Sequence, residues 1–168
     1  MGLSASEAPI LNKGRIAQVA VITRDFEKTV HDWAKLLGAG PFFCGEFVNR
    51  DYYYRGRQEN CAVDVAFGYL HDMQIQVVAQ KCDTPSIYSE VLDLSPSTPM
   101  FHHTLYLTDD IDTEIARYAE EGVEVAALFE PKGMKVAFMD TIPRLGVMVE
   151  FFQMSPYFDD FFTRAHRA

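Results

Sequence analysis

Polar and apolar positions change period twice in the first forty residues. From Ile16 to Ile22 the even positions Ile16, Gln18, Ala20 and Ile22 share one face, the period-two pattern of a strand. After Asp25 the stripe becomes Phe26, Val30 and Trp33, the i, i+4, i+7 spacing of a helix packed on one side. Asp25 stands where a side-chain oxygen caps the first free N–H groups, and Gly38 where a helix stops. The same sequence of events recurs 85 residues later, with His103, Leu107, Asp110 and the stripe Ile111, Ile115 and Tyr118, and this helix too ends near a glycine, Gly122. Each half closes on a similar run, "MQIQVVAQ" at Met73–Gln80 and "VMVEFFQM" at Val147–Met154. Between helix and closing strand, two further strands are predicted in each half. They are Phe43–Asn49 and Cys61–Tyr69 in the first, Val123–Leu128 and Met134–Asp140 in the second.

The chain therefore reads as an α+β protein made of two tandem βαβββ modules, which together form a curved eight-stranded mixed sheet with a concave ligand-binding face. The predicted organisation is an N-terminal arm (1–13), a first module (14–80), a Pro- and Ser-rich linker (81–99) with a short helix at Ser86–Leu94, a second module (100–154) and an aromatic tail (155–168). One module alone has too little core to stand by itself, so the two must pair.

Composition narrows the partners. A net charge of −9 argues against nucleic-acid and anionic-membrane surfaces, while 48% apolar residues suffice for a packed core. No apolar run reaches membrane-spanning length, and residues 1–13 lack the apolar stretch of a signal peptide. With three cysteines in no C-x-x-C spacing, the expectation is a reduced, cytoplasmic protein. The tail places Tyr157, Phe158, Phe161 and Phe162 on one helical stripe, which needs cover from the chain itself or from a second subunit.

Strand alternation lets only one of the neighbours His102 and His103 face a given pocket, and the repeat selects His103, matching Gln18. Gln76 and Glu150 match in the same way on the closing strands. Two amides, an imidazole and a carboxylate brought to one centre share one economical explanation, a divalent metal. The predicted ligands are thus Gln18, Gln76, His103 and Glu150, with Zn, Ni, Co, Mn and Fe all compatible. Tyr54 and Arg55 are candidates for lining a substrate pocket, Arg55 meeting a carboxylate or phosphate.

The segments "IAQVAVITRDFEKTVHDWAKLLGAGPFF", "HHTLYLTDDIDTEIARYAEEGV" and "VMVEFF" resemble the vicinal oxygen chelate superfamily, over about residues 14–154. Its members include glyoxalase I, methylmalonyl-CoA epimerase, bleomycin-resistance proteins and extradiol dioxygenases, and this chain resembles a glyoxalase-like branch. The resemblance places metal ligands on the four residues above. A set of Gln, Gln, His and Glu lies between those of glyoxalase I and the epimerase, and lacks the second histidine of the dioxygenases. It implies a lyase or isomerase that removes a proton beside a carbonyl or thioester and stabilises an enolate on the metal, with Glu150 as proton shuttle and Glu46 as candidate second base. It also implies a homodimer. The alternative it leaves open is a non-catalytic small-molecule binder of the bleomycin-resistance type.

Overall fold

A computed structural model describes residues 16–153, apart from 95–96, 131–132 and the side chain of Asp51. The predicted arm and aromatic tail lie outside the described residues. The elements run β1 (Gln18–Ile22), α1 (Phe26–Leu37), β2 (Phe43–Tyr54), β3 (Arg57–Leu70), β4 (Met73–Gln80), α2 (Ile87–Leu92), β5 (Met100–Thr108), α3 (Ile111–Glu120), β6 (Val125–Phe129), β7 (Lys135–Met139), α4 (Ile142–Leu145) and β8 (Met148–Gln153). The strand and long-helix order of both halves is as the hydrophobic pattern predicts; the short α4 before β8 is additional, and the linker helix is Ile87–Leu92 within the predicted Ser86–Leu94.

Local chemistry sets the boundaries. The Asp25 carboxylate accepts from the Lys28 N–H, and that of Asp110 from the Thr113 N–H, so both long helices start on an aspartate cap. α1 ends at Gly38, whose φ of 75° is the left-handed conformation a Cβ disfavours. β2 and β3 are longer than the sequence predicts. Arg55 and Gly56 both take positive φ, which makes a two-residue hairpin turn between Tyr54 and Arg57. Tyr52 and Tyr54 are buried and stacked on each other, whereas Tyr53 between them is exposed. Period-two burial thus continues through a stretch whose polar residues suggest a loop.

The strands form one closed barrel in the order β1-β4-β3-β2-β6-β7-β8-β5. Antiparallel β1 and β5 join the modules, with pairs Gln18↔Leu105 and Ala20↔His103. These two pairs exchange under the 85-residue repeat, so the modules are related by a pseudo-twofold axis between these strands. The second seam, between β2 and β6, holds only the pairs Tyr53↔Leu128 and Tyr54↔Ala127. Along the rest of β2 the wall is open. The inward-facing Phe43 and Phe47 there are 39% and 38% exposed.

Outward rows pack under the helices. Val21, Ala66 and Val77 meet Phe26, Val30 and Trp33 of α1, and Ala137, Met139, Val149 and Phe151 meet α3. The inward rows of both modules make a single core with α2. Ile87, Tyr88, Val91 and Leu92 of α2 are all buried in it, each contributing about 1.5–3 kcal/mol of apolar burial. The linker helix therefore lies on the concave face rather than beside it.

Candidate metal centre

β1, β4, β5 and β8 present their inward rows side by side, and this brings the polar residues together. His103 Nε2 lies 2.8 Å from Glu150 Oε2 and 3.4 Å from Gln18 Oε1. Gln18 donates through Nε2 to Gln74 Oε1, and Gln74 Nε2 donates to the Tyr69 hydroxyl at 2.8 Å. This chain of donors fixes the orientation of Gln18, turning its oxygen toward His103. Gln18, His103 and Glu150 are 2%, 1% and 5% exposed, so water does not reach the cluster freely.

Strand register explains both Gln74 and Gln76. Gln74 sits opposite Gln18, and Gln76 opposite Ala20 on β1 and Phe67 on β3. On the other side of the axis Glu150 sits opposite Leu105. Gln76 is thus the pseudo-symmetry mate of Glu150, yet the direct partner of Gln18 is Gln74, one step along the same inward row. The sequence carried that signal, since Gln74 and Gln76 share parity on β4.

The alternation argument for the histidines is corrected by the structure. Both His102 and His103 are buried and both face inward. Between Ala20 and Val21 the β1–β5 ladder shifts: Ala20 pairs with His103 but Val21 with Phe101. This β-bulge inserts His102 as an extra residue, which lets two consecutive side chains share a face. Met100 and Leu105, both packed into the one core, betray the insertion because they are an odd number of residues apart. His102 Nδ1 lies 2.8 Å from His103 Nδ1, and His102 Nε2 lies 3.0 Å from the Ile87 carbonyl oxygen.

Burial dominates the electrostatics. It pushes the Glu150 carboxyl up to about 8 and both imidazoles down to about 3, with the neighbouring His103 adding to the drop at His102. The metal-free cluster is therefore neutral near pH 7. The 2.8 Å approach of His103 to Glu150 is an ion-pair distance, but its direction is not that of a hydrogen bond. Glu150 Oε2 is left without a hydrogen-bond partner, as is the buried Gln76 Oε1. Orphaned buried acceptors cost about 1–3 kcal/mol each, and a cation is what such a set of lone pairs fits. Among the described residues no three His, Cys, Asp or Glu side chains are placed to hold a metal ion together; the groups that converge here are the His103 imidazole, the Glu150 carboxyl and the Gln18 amide oxygen.

The remaining sequence candidates lie elsewhere. Glu46 pairs across the ladder with Asp64 on the outer face of β2 and is exposed, so the fold does not bring it to the cluster. Tyr54 donates to Glu90, and Arg55 binds Glu90 at 2.5 and 3.0 Å and Asp140 at 2.8 Å. A polar cavity of about 540 Å³ lined by Thr23, Arg24, Lys81, Cys82 and Asp93 includes no member of the cluster.

Residues 17–153 match the family model of the Glyoxalase/Bleomycin resistance protein/Dioxygenase superfamily, and the chain belongs to that family, the vicinal oxygen chelate superfamily. Its fold is similar to that of methylmalonyl-CoA epimerase from Mycobacterium tuberculosis, with 17% identity, a TM-score of 0.62 and coverage of 85% of this chain and 89% of that one. A Streptomyces coelicolor methylmalonyl-CoA epimerase in complex with 2-nitronate-propionyl-CoA is similar at 20% identity and TM-score 0.62, covering 84% and 95%. A variant of 4-hydroxymandelate synthase from Streptomyces coelicolor follows at 14% and 0.57, covering 84% of this chain and 48% of that one. No curated protein matches the chain. Among the described residues no helix is long and apolar enough to cross a membrane.

Proposed function

We propose that the chain is a metal-dependent lyase or isomerase of the glyoxalase and epimerase kind, which removes the proton beside the carbonyl of a small carbonyl compound or thioester. The observation that carries this reading is the convergence of His103 Nε2, Gln18 Oε1 and the unpartnered Glu150 Oε2 inside a nearly dry barrel. Gln18, His103 and Glu150 would hold a divalent cation, with Gln76 or Gln74 supplying a further amide oxygen. When bound, that ion supplies Lewis-acid stabilisation of negative charge developing on a carbonyl oxygen.

The chain's own residues do the rest. Burial raises the Glu150 carboxyl in the metal-free protein. Beside a cation the ionised form would be favoured, and Oε2, which has no hydrogen-bond partner, would be the atom that takes up and returns the proton. Gln74 keeps the Gln18 oxygen aimed inward. The inward apolar rows, with Phe138 against the His103 ring at 5.0 Å, exclude water from the reacting groups. Tyr54 and Arg55 enter this reading as the brace of α2 rather than as substrate ligands. A thioester is the substrate class favoured by the likeness to epimerases. Free thiols at Cys44, Cys61 and Cys82 suit a reducing compartment, where we place the protein.

Equilibrium dialysis of chelator-stripped protein against Zn, Ni, Co, Mn and Fe(II) tests the centre, and deuterium uptake from solvent into a panel of acyl thioesters and hemithioacetals tests the reaction. One ion per chain, lost in His103→Ala and Glu150→Ala, with deuterium entering beside the carbonyl only in loaded protein, is expected. Ligand retention with no ion bound would instead establish a non-catalytic binder.

A further inference from the structure

We infer that His102 is a positioning residue that holds His103 in the Nδ1–H tautomer, so that Nε2 presents a bare lone pair to the cluster. The inference rests on the metal-holding reading above, and the hydrogen-bond order supplies it. The Ile87 carbonyl can only accept, so the His102 Nε2 that lies 3.0 Å away carries a proton. In a neutral ring, His102 Nδ1 is then an acceptor. The His103 Nδ1 that lies 2.8 Å from it must donate. This contact is shorter than the 3.4 Å from His103 Nε2 to the acceptor Gln18 Oε1, the one that would favour a proton on Nε2. With the proton on Nδ1, the bare Nε2 faces Gln18 Oε1 and Glu150 Oε2.

The rings meet edge to face, at 81° between planes, with their Nδ1 atoms at hydrogen-bond distance. Tyr88 and Phe138 pack on the His102 ring at 5.2 and 6.2 Å and stop it from turning. A histidine that binds metal through one nitrogen commonly donates from the other, which sets its tautomer and orientation. Here the acceptor is a second imidazole, brought to the same face by the bulge in β5 and anchored in turn on the first residue of α2. The linker helix is thereby connected to the centre through two hydrogen bonds.

Nitrogen NMR of isotope-labelled histidines in metal-free protein reads the tautomer directly, and competition with a chromophoric chelator reads zinc affinity. In the unaltered protein His103 is expected as Nδ1–H. His102→Phe cannot accept that proton; His103 should shift toward Nε2–H, and zinc affinity should fall about 10- to 100-fold. His102→Gln offers an oxygen to His103 and an N–H to Ile87, and should restore both tautomer and most of the affinity. Circular dichroism separates these effects from loss of folding. Finding Nε2–H on His103 in the unaltered protein, or normal zinc affinity in a folded His102→Phe variant, overturns the inference. Nδ1–H on His103 in a protein that binds none of Zn, Ni, Co, Mn and Fe(II) leaves the inference standing and overturns the metal-dependent function.

Discussion

Glu150 carries the largest single consequence of burial at the residue scale. Its carboxyl is raised from 4.5 to about 8, so the metal-free native state keeps its proton over a range in which the unfolded chain has lost it. Stability from this group is complete below about pH 4 and is lost as pH rises toward 8, with a slope of about 1.4 kcal/mol per pH unit while the two states differ by one proton. Both imidazoles, lowered to about 3, oppose this by adding stability as pH rises through the unfolded histidine range near 6.5, so the carboxyl is read above that range. Urea denaturation in chelator at pH 7 and pH 8 should show a decline that Glu150→Gln, which has no carboxyl to ionise, largely removes. Equal declines in both proteins would mean that the carboxyl is not buried as described. How such residues can be found from sequence follows from the same positions. Gln18, His103 and Glu150 were legible because duplication and period-two alternation are both written in the residue pattern. His102 was not, because a β-bulge changes which face a side chain takes without changing any residue type. Gln74, the hydrogen-bond partner of Gln18, lies with Gln76 on one inward row of β4, and alternation alone does not say which of the two meets Gln18.

Elements show the same division. Strand and helix identities follow from hydrophobic period and from caps such as Asp25 and Asp110, which are local properties of the chain. Where an element goes is not local. The linker helix is predicted at Ser86–Leu94 and forms at Ile87–Leu92 behind a Ser86 cap, but its place inside the barrel depends on Tyr52 and Arg55, far away in sequence, as well as on local bonds. Ser86 accepts from the Tyr88 and Ser89 N–H groups, the Tyr52 hydroxyl accepts from the Ile87 N–H at 3.3 Å, and Gln80 ties down the Cys82 and Thr84 carbonyls at 2.7 Å each. Arg55 then bridges Glu90 of α2 to Asp140 at the end of β7, joining three segments through one planar group. Because the Arg55 side chain is 40% exposed, solvent screens much of this attraction, and Arg55→Met should cost about 1 kcal/mol. The effect should shrink at high salt, and Arg55→Lys should not recover it, since an ammonium cannot reproduce the fork. Urea titration at low and high salt measures the loss, and amide exchange should quicken first in α2. Unchanged exchange in α2 would remove Arg55 from the role of brace.

Duplication sets the cooperativity of the whole molecule. Each module has its own outer cluster under α1 or α3, which would allow two independently folding halves. The inner core contradicts that division. It takes Ile22, Val63 and Val78 from the first module, Leu105, Phe138, Met148 and Phe152 from the second, and Ile87, Tyr88, Val91 and Leu92 from the linker between them. β1 is hydrogen-bonded to β4 of its own module and to β5 of the other, so neither half can leave without stripping strands from its mate. A single transition is the physical expectation, and the chain carries convenient reporters of it. Trp33, the one tryptophan, packs on the outer cluster of the first module, while Met139 lies in that of the second. Urea titrations followed by Trp33 fluorescence and by methyl NMR of Met139 should give the same midpoint. Phe138→Ala, made in the second module where the ring contacts His102, His103 and Phe129, should lower stability by about 3–5 kcal/mol. It should move the Trp33 midpoint as far as that of Met139, although Trp33 is in the other module. A Trp33 midpoint that stays in place while that of Met139 falls would show two autonomous domains, and would leave the centre between them without the rigid barrel that its geometry requires.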